Sequence, residues 1–283
     1  MGASDKRGQK LRLIETRFRD AGSVVVAFSG GVDSALVLKL ALDAVGRDHV
    51  LAVTARSPSV PSAELSSVAS LAAEIGAAHE FIDTQEFENP DYLANPANRC
   101  YFCKTELYEQ LTRLATQRGF KMIANGVNAD DLGDFRPGIA AGGEKGVASP
   151  LAETGVDKAE VRALAAERGL SVHDKPASPC LSSRVQYGER ITPQKLERID
   201  RAETFLRELG FRECRVRHHD TLARIEIPPD EIERLAHADV RNRIDGFFRE
   251  LGYRYIRLDL RGFRSGSMNE VLVGERLAAL HEI

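Results

Sequence analysis

The chain reads as an α/β protein: a parallel sheet covered by helices on both faces, followed by a smaller α+β domain. Three observations point there. Strand and helix signals alternate along the first 170 residues, the pattern of βαβ units. From residue 193 onward the rhythm becomes helix, two alternating strands, helix and strand. The apolar run Val24–Phe28 also meets a glycine turn, Ser29-Gly30-Gly31-Val32-Asp33-Ser34, that opens directly into Ala35-Leu36-Val37-Leu38.

Residues 9–20 form an amphipathic helix with Leu13, Ile14 and Phe18 on one side. Strands follow over 23–28, 50–54, 79–82 and 121–125, and helices over 34–45, 62–75, 103–118 and 157–168. Residues 126–156 turn rich in Gly, Asp and Pro without periodicity and read as one long functional loop. A second loop, 171–192, carries Pro176, Pro179 and Cys180 and joins two domains, placed at 1–180 and 190–283. In the second, a helix over 193–209 has the stripe Leu196, Ile199, Phe205, Leu206 and Leu209. Strands over 213–218 and 222–227, a helix near 229–250 and a strand near 254–260 complete it.

The 283 residues are 43% hydrophobic and 29% charged, ordinary for a soluble globular chain with room for a sizeable core. No apolar run reaches the length of a membrane span, and the charged N-terminal segment lacks a signal-peptide core, so a cytoplasmic chain is expected. A net charge of −3 supplies no general field for nucleic acid. Four cysteines in such a chain point to metal, redox or catalytic use rather than disulfides.

The glycine turn aims backbone N–H groups, two hydroxyls and a helix N-terminus at one point, which suits an oligophosphate. No Gly-Lys-Ser/Thr follows, so it is not the Walker loop. It looks like the SGGxDS pyrophosphate loop of the ATP pyrophosphatases, which split ATP between its α and β phosphates. That resemblance implies their Rossmann-like sheet, of the adenine nucleotide alpha hydrolase type. The plain alternative is a strand-to-helix turn whose glycines serve packing.

Cys100 and Cys103 form a C-x-x-C pair just before a helix, and Cys180 is a third candidate. No second C-x-x-C or nearby His pair completes a zinc ribbon. Three thiolates without a fourth suit a [4Fe–4S] cluster with one open iron; a zinc site or a dithiol redox pair are the alternatives. Cys214 alternates with Val216 on a strand and reads as a small buried hydrophobe.

Asn128 and Asp131, with Asp130, Asp134 and Arg136, lie just beyond the fourth strand. Carboxylates there could hold Mg²⁺ and Arg136 could meet phosphate, or the segment is a solvated turn capped by its own Asp side chains. Glu203 falls on the apolar face of its helix, where a carboxylate is either paired or a ligand. Arg215 and Arg217 share one strand face, as do Arg224 and Glu226, either as a phosphomonoester anchor or as an arginine–glutamate network. His218 and His219 have no partner at metal-ligand spacing and read as surface residues.

Taken together, the Ser29–Ser34 loop, Arg99–Lys104, Asn125–Gly138, Lys175–Val185, Arg215–Arg217 and Gly262–Glu270 resemble one family closely. These are the LarE-type sulfur insertases, which build the nickel-pincer nucleotide cofactor. The resemblance implies a pyridinium dicarboxylate mononucleotide as substrate, with one carboxylate adenylylated by Mg²⁺–ATP and converted to a thiocarboxylate, releasing AMP and pyrophosphate. It implies two variants: one sacrifices a single cysteine matching Cys180; the other has three cysteines and binds a [4Fe–4S] cluster. Cys100, Cys103 and Cys180 place this sequence with the second. By motif position, Ser29, Gly30, Gly31, Asp33 and Ser34 would bind ATP and its magnesium. Ser183, Arg184, Arg215 and Arg217 would hold substrate phosphate, and Glu203 would sit at a metal or substrate site. A sulfide donor and a homo-oligomer built through the second domain are implied as well. The rival readings are a tRNA thiolase, a nitrogen-transferring synthetase of the same superfamily, and a nucleotide-binding regulator with structural zinc.

Overall fold

A computed structural model describes residues 3–133 and 137–264. They form two compact units. The first takes the described residues up to Tyr92 and those from Asn98 to Ser178; the second takes Leu93–Ala97 and those from Pro179 onward.

The first unit runs α1 (Ala3–Ala21), β1 (Val24–Ala27), α2 (Val32–Val45), β2 (Val50–Arg56), α3 (Ser62–Ile75) and β3 (Ala78–Asp83). After the short α4 (Pro90–Leu93) come α5 (Arg99–Arg118), β4 (Met122–Ala124), α6 (Pro137–Glu144), α7 (Pro150–Glu153) and α8 (Lys158–Glu167). The four strands are parallel, in the order β3-β2-β1-β4. Alternate residues of β1 serve two cores. Val24 and Val26 pack with Phe18, Leu36, Leu40 and Leu164, whereas Val25 packs with Leu107, Leu111 and Ala141 on the opposite face. A central parallel strand therefore reads as continuously apolar, because both its faces are buried. This is the expected Rossmann-like α/β architecture.

Three segments differ from the sequence expectation. The C-x-x-C pair lies inside α5, not ahead of it: Asn98 is the N-cap and both cysteines fall in the first two turns. The 126–156 stretch is not one open loop. It holds a 3-10 turn (Ala129–Gly133), α6 and α7, and Ala124 bridges to Ala148 beside β4. Its small residues let α6 lie close on α5: a Cβ at Gly138 would stand 2.8 Å from Lys104 Cγ, and one at Gly142 would just touch the Tyr108 ring at 3.4 Å. Close packing on α5 thus outweighs poor intrinsic helix propensity.

The second unit contains α9 (Pro193–Glu208), β5 (Arg215–His219), β6 (Leu222–Glu226), α10 (Ile232–Ala236), α11 (Ala238–Glu250) and β7 (Tyr255–Leu258). Its sheet has the order β5-β6-β7, antiparallel then parallel. The single helix expected near 229–250 is broken at His237, whose extended backbone (φ −54°, ψ 137°) ends α10 and starts α11. Val216, Ala223 and Ile225 face a core built from Leu206, Ile244 and Phe248. By the period of two, Arg215, Arg217, Arg224 and Glu226 occupy the other face. Asn95, fully buried with φ +54°, donates from Nδ2 to the carbonyls of Val185, Gln186 and Glu189 and so fastens Leu93–Ala97 into this unit.

Candidate active site

In the first unit the Ser29–Ser34 turn lies at the carboxyl end of β1, where ligands of parallel sheets bind. Gly30 has φ +73°, and its missing side chain leaves room for Val68, 3.3 Å from where a Cβ would sit. The Ser34 hydroxyl donates to the Gly31 carbonyl (3.1 Å) and accepts from the Ser29 amide (3.2 Å), which locks the loop onto the first turn of α2. Ser29 Oγ is 3.2 Å from Ser34 Oγ. The result is a small nest of hydroxyls and N–H groups at a helix N-terminus, suited to an anion.

Asp33 is held by two partners that come from far along the chain. Its Oδ1 accepts from Asn128 Nδ2 (3.0 Å) and its Oδ2 from Lys158 Nζ (2.6 Å). Asn128 also accepts from the Asp130 amide, and its own amide donates to Asp131 Oδ2. Asp131 thus caps its own turn while standing beside the Asn128–Asp33 contact. Arg136 lies outside the described residues.

Sequence reasoning missed three residues here. Lys158 starts α8 and pairs with Asp33; Lys175 donates to the Gly30 carbonyl (3.1 Å) and pairs with Glu64 (2.6 Å). Gly126 is the third: a Cβ there would stand 2.7 Å from the Ser34 amide nitrogen, so only glycine admits the end of β4 against the phosphate loop. The glycine was visible in the sequence, but its neighbour was not.

Cys100 is exposed and Cys103 partly so. At i and i+3 they lie on one side of α5, one turn apart. A Cβ at Gly138 would lie 3.3 Å from the Cys100 carbonyl oxygen, so α6 packs directly on this turn. The chemistry of two adjacent soft thiols fits one edge of a thiolate-bound metal centre. Among the described residues, no three Cys, His, Asp or Glu side chains converge on one point as ligands.

Cys180, partly exposed, belongs to the second unit, where it caps a 3-10 turn (Leu181–Arg184). Its carbonyl accepts from the Ser183 amide (3.0 Å), Ser183 Oγ (2.8 Å) and Arg184 Nη1 (3.0 Å). Arg184 is fully buried, and Glu203, also fully buried, accepts from its Nε (2.8 Å) and Nη2 (3.0 Å). Glu203 accepts further from Arg207 (2.8 Å) and from the Val216 amide on the edge of β5 (3.1 Å). Burial alone would raise the Glu203 pKa; the Arg184 charge and hydrogen bonds, then Arg215 and Arg207, more than reverse it and hold it below the ordinary range. Arg184, expected at substrate phosphate, thus has its guanidinium engaged in holding the Cys180 turn, and Glu203 is the paired carboxylate.

Arg215 and Arg217 lie on the other sheet face, nearly buried. Arg217 donates to Glu226 (2.7 Å) and to the Ser183 carbonyl (2.9 Å), and Arg215 stands over the Phe263 ring at 5.0 Å. Burial, then the Arg184 charge, pulls the Arg215 pKa down to about 10. Among the described residues, five arginines (184, 207, 215, 217 and 224) share two fully buried glutamates, Glu203 and Glu226, with Asp259 a third carboxylate at Arg224. That excess of positive charge favours an anion. Cys214 is a buried hydrophobe, its pKa pushed up to about 12 by burial. His218, expected at the surface, is instead buried, with Nδ1 3.1 Å from Tyr253 Oη.

A glycine turn with paired hydroxyls at the carboxyl end of a parallel sheet defines a phosphate-loop, ATP-using enzyme class. Residues 12–91 match the NAD synthase family model. The chain is 41% identical over 271 residues to the pyridinium-3,5-bisthiocarboxylic acid mononucleotide synthase of Lactiplantibacillus plantarum, covering 95% of this chain and 97% of that protein. It belongs to that family, the LarE-type sulfur insertases. It is also 48% identical to protein slr1717 of Synechocystis sp., over 93% of this chain and 98% of that one. A tRNA-specific 2-thiouridylase of Xanthobacter autotrophicus is 29% identical over 71% of this chain and 62% of its own length. Among the described residues, no helix is long and apolar enough to cross a membrane.

Proposed function

We propose that this chain is an ATP-dependent sulfur transferase acting on pyridinium-3,5-biscarboxylic acid mononucleotide, in the biosynthesis of the nickel-pincer nucleotide. It adenylylates a carboxylate of that substrate and converts it to a thiocarboxylate, with AMP and pyrophosphate as by-products. The observation that carries the reading is the Ser29–Ser34 loop geometry, in a chain related over nearly its whole length to a synthase named for the thiolated product. A carboxylate resists a sulfur nucleophile until its oxygen bears a good leaving group, and transfer of AMP to that oxygen creates one. In this reading Ser29, Gly30, Gly31 and Ser34 bind the phosphates, and Asp33, with Asn128 and Asp131 beside it, holds Mg²⁺. Arg215, Arg217 and Ser183 receive the substrate phosphate, supported by the clustering of guanidinium groups on this sheet face among the described residues. Arg184 and Glu203 keep the Cys180 turn in shape.

Cys100, Cys103 and Cys180 would hold a [4Fe–4S] cluster, which when bound offers an open coordination position for sulfide from an external donor. We place the enzyme in the cytoplasm, as a homo-oligomer assembled through its second unit. Two other readings are kept. The likeness to a 2-thiouridylase favours a cluster-dependent tRNA thiolase, which the net charge of −3 does little to support. In the other, Cys180 gives up its own sulfur in a single turnover.

The test is anaerobic purification with iron and acid-labile sulfide counted per chain, on the natural sequence and on Cys100→Ala. About four of each, lost in Cys100→Ala while ATP binding is kept, supports the cluster reading. No iron after reconstitution, with a chain lighter by one H₂S after turnover, moves the sulfur source to Cys180. One zinc without labile sulfide overturns the cluster reading and supports a nucleotide-binding regulator with structural zinc.

A further inference from the structure

We infer that the outer half of the β5-β6-β7 sheet face is a second nucleotide subsite. It binds the distal phosphoryl group and base of a dinucleotide whose near phosphate occupies Arg215 and Arg217; this rests on the substrate-phosphate reading above. The strand register carries it. Arg217 lies directly opposite Arg224, and Arg224 directly opposite Arg257, so three arginines form one cross-strand row. In the next row His219, Leu222 and Tyr255 stand side by side. By the period of two, both rows share the face of Arg215.

Like charges directly opposite one another destabilise a sheet. The inner pair is relieved by Glu226, which accepts from Arg217 Nη2 (2.7 Å) and Arg224 Nη2 (3.2 Å). The outer pair is not. Asp259 approaches Arg224 Nε only to 3.8 Å, and that nitrogen is buried without a hydrogen bond among the described residues. Arg257 is exposed and forms no ion pair among those residues. Tyr255, beside half-buried Leu222, is 60% exposed. A repulsion left standing next to an open aromatic ring points to an anion that carries a stacking base.

The direction of the row says which part of the ligand this is. The Cys180 turn runs along the edge of β5 away from β6, where Val185 bridges to His218 and Arg217 donates to the Ser183 carbonyl. With Cys180 at the sulfur chemistry, the reacting end of the substrate lies on that side of the phosphate arginines. Arg224 and Arg257 lead the opposite way, one and two strands farther, at about 4.8 Å per strand. A mononucleotide ends at its phosphate and has nothing to place there. A dinucleotide does: its second phosphoryl group falls beside Arg224, and its second base reaches Tyr255 and Arg257.

The test measures binding of nicotinic acid mononucleotide and nicotinic acid adenine dinucleotide to the full chain by calorimetry. AMP is kept in excess, so that the adenine is not captured by the ATP site. The variants are Arg257→Ala, Tyr255→Ala and Arg217→Ala, each checked for folding by circular dichroism. The expected result is a dinucleotide bound roughly tenfold more tightly than the mononucleotide, and weakened roughly fivefold or more by Arg257→Ala or Tyr255→Ala, with mononucleotide affinity unchanged. Arg217→Ala should weaken both ligands. A dinucleotide bound no more tightly than the mononucleotide, or equal losses for both in Arg257→Ala and Tyr255→Ala, overturns the inference. An RNA oligonucleotide that binds more tightly than the dinucleotide and depends on Arg257 overturns it too, in favour of an RNA-binding face. Undiminished binding of both nucleotides by Arg217→Ala sinks the substrate-phosphate reading itself, and is seen separately.

Discussion

Replacing Glu203 by glutamine tests how the second unit is held together. The carboxylate is fully buried and accepts four hydrogen bonds, three of them from the guanidinium groups of Arg184 and Arg207. Glutamine keeps the shape and one acceptor oxygen. With that oxygen serving Arg184 Nε and the Val216 amide, the new NH₂ group faces Arg184 Nη2 and Arg207 Nη2, donor against donor. Two charge-assisted hydrogen bonds are lost, at ~1.5–3 kcal/mol each. The same loss, seen as a buried arginine left without its counter-charge, comes to ~3–5 kcal/mol. The two routes agree, and the sum is a large share of a typical domain's ~5–15 kcal/mol. The chain has no tryptophan, so urea unfolding is followed by circular dichroism, with hydrogen exchange reporting on the Val216 amide. The pH dependence adds a second readout. Because folding depresses the Glu203 pKa from its ordinary 4.5, its contribution is complete above 4.5 and fades as pH falls toward the depressed folded value. Glu203→Gln should therefore lose stability at neutral pH and show a flatter acid limb. A loss under ~1 kcal/mol with unchanged Val216 exchange would mean that the network is solvated, refuting the reasoning.

Three further outcomes are expected. Gly126→Ala forces a methyl group to within 2.7 Å of the Ser34 amide nitrogen, so ATP affinity measured by calorimetry should fall at least about tenfold; unchanged affinity would place the phosphates elsewhere. Arg215→Ala should weaken binding of the phosphorylated substrate much more than binding of ATP, and equal losses would remove that arginine from the substrate site. His218 is buried neutral, with burial lowering its pKa to about 4 from an ordinary 6.5. Its contribution is complete above 6.5 and is lost as pH falls toward 4, so the melting temperature of His218→Phe should decline less steeply over that window. Parallel slopes for the two proteins would show that another group titrates there.

Much of the fold was legible because it rests on local signals. The run at Val24–Phe28, the glycine turn and the amphipathic stretch after it identify strand, loop and helix from neighbours alone, and alternation extends this to a parallel sheet. The facial position of Glu203 marked it as buried, and the period of two put Arg215 and Arg217 together. The failures fall where distant packing overrides local preference. The helix of Pro137–Glu144 is too rich in glycine to be called from propensity, yet it forms because small residues let it lie against α5. His218 read as a surface residue because nothing at metal-ligand spacing partners it, whereas Tyr253, 35 residues away, encloses it.

By itself the sequence determined the class of the protein: a phosphate loop between a strand and a helix, a C-x-x-C pair, and a second domain with paired arginines. Each is a matter of residue type and short-range spacing, which the backbone periods translate directly into shape. Only the tertiary structure decided which charges meet. Lys158 on Asp33, Lys175 on the Gly30 carbonyl, and Arg184 on Glu203 and the Cys180 carbonyl join residues separated by 4 to 145 positions. A long charged side chain can reach many partners, so its sequence position says little about where its charge lies. For Arg184 burial selects the partner, because an unpaired charge away from water is too costly to keep.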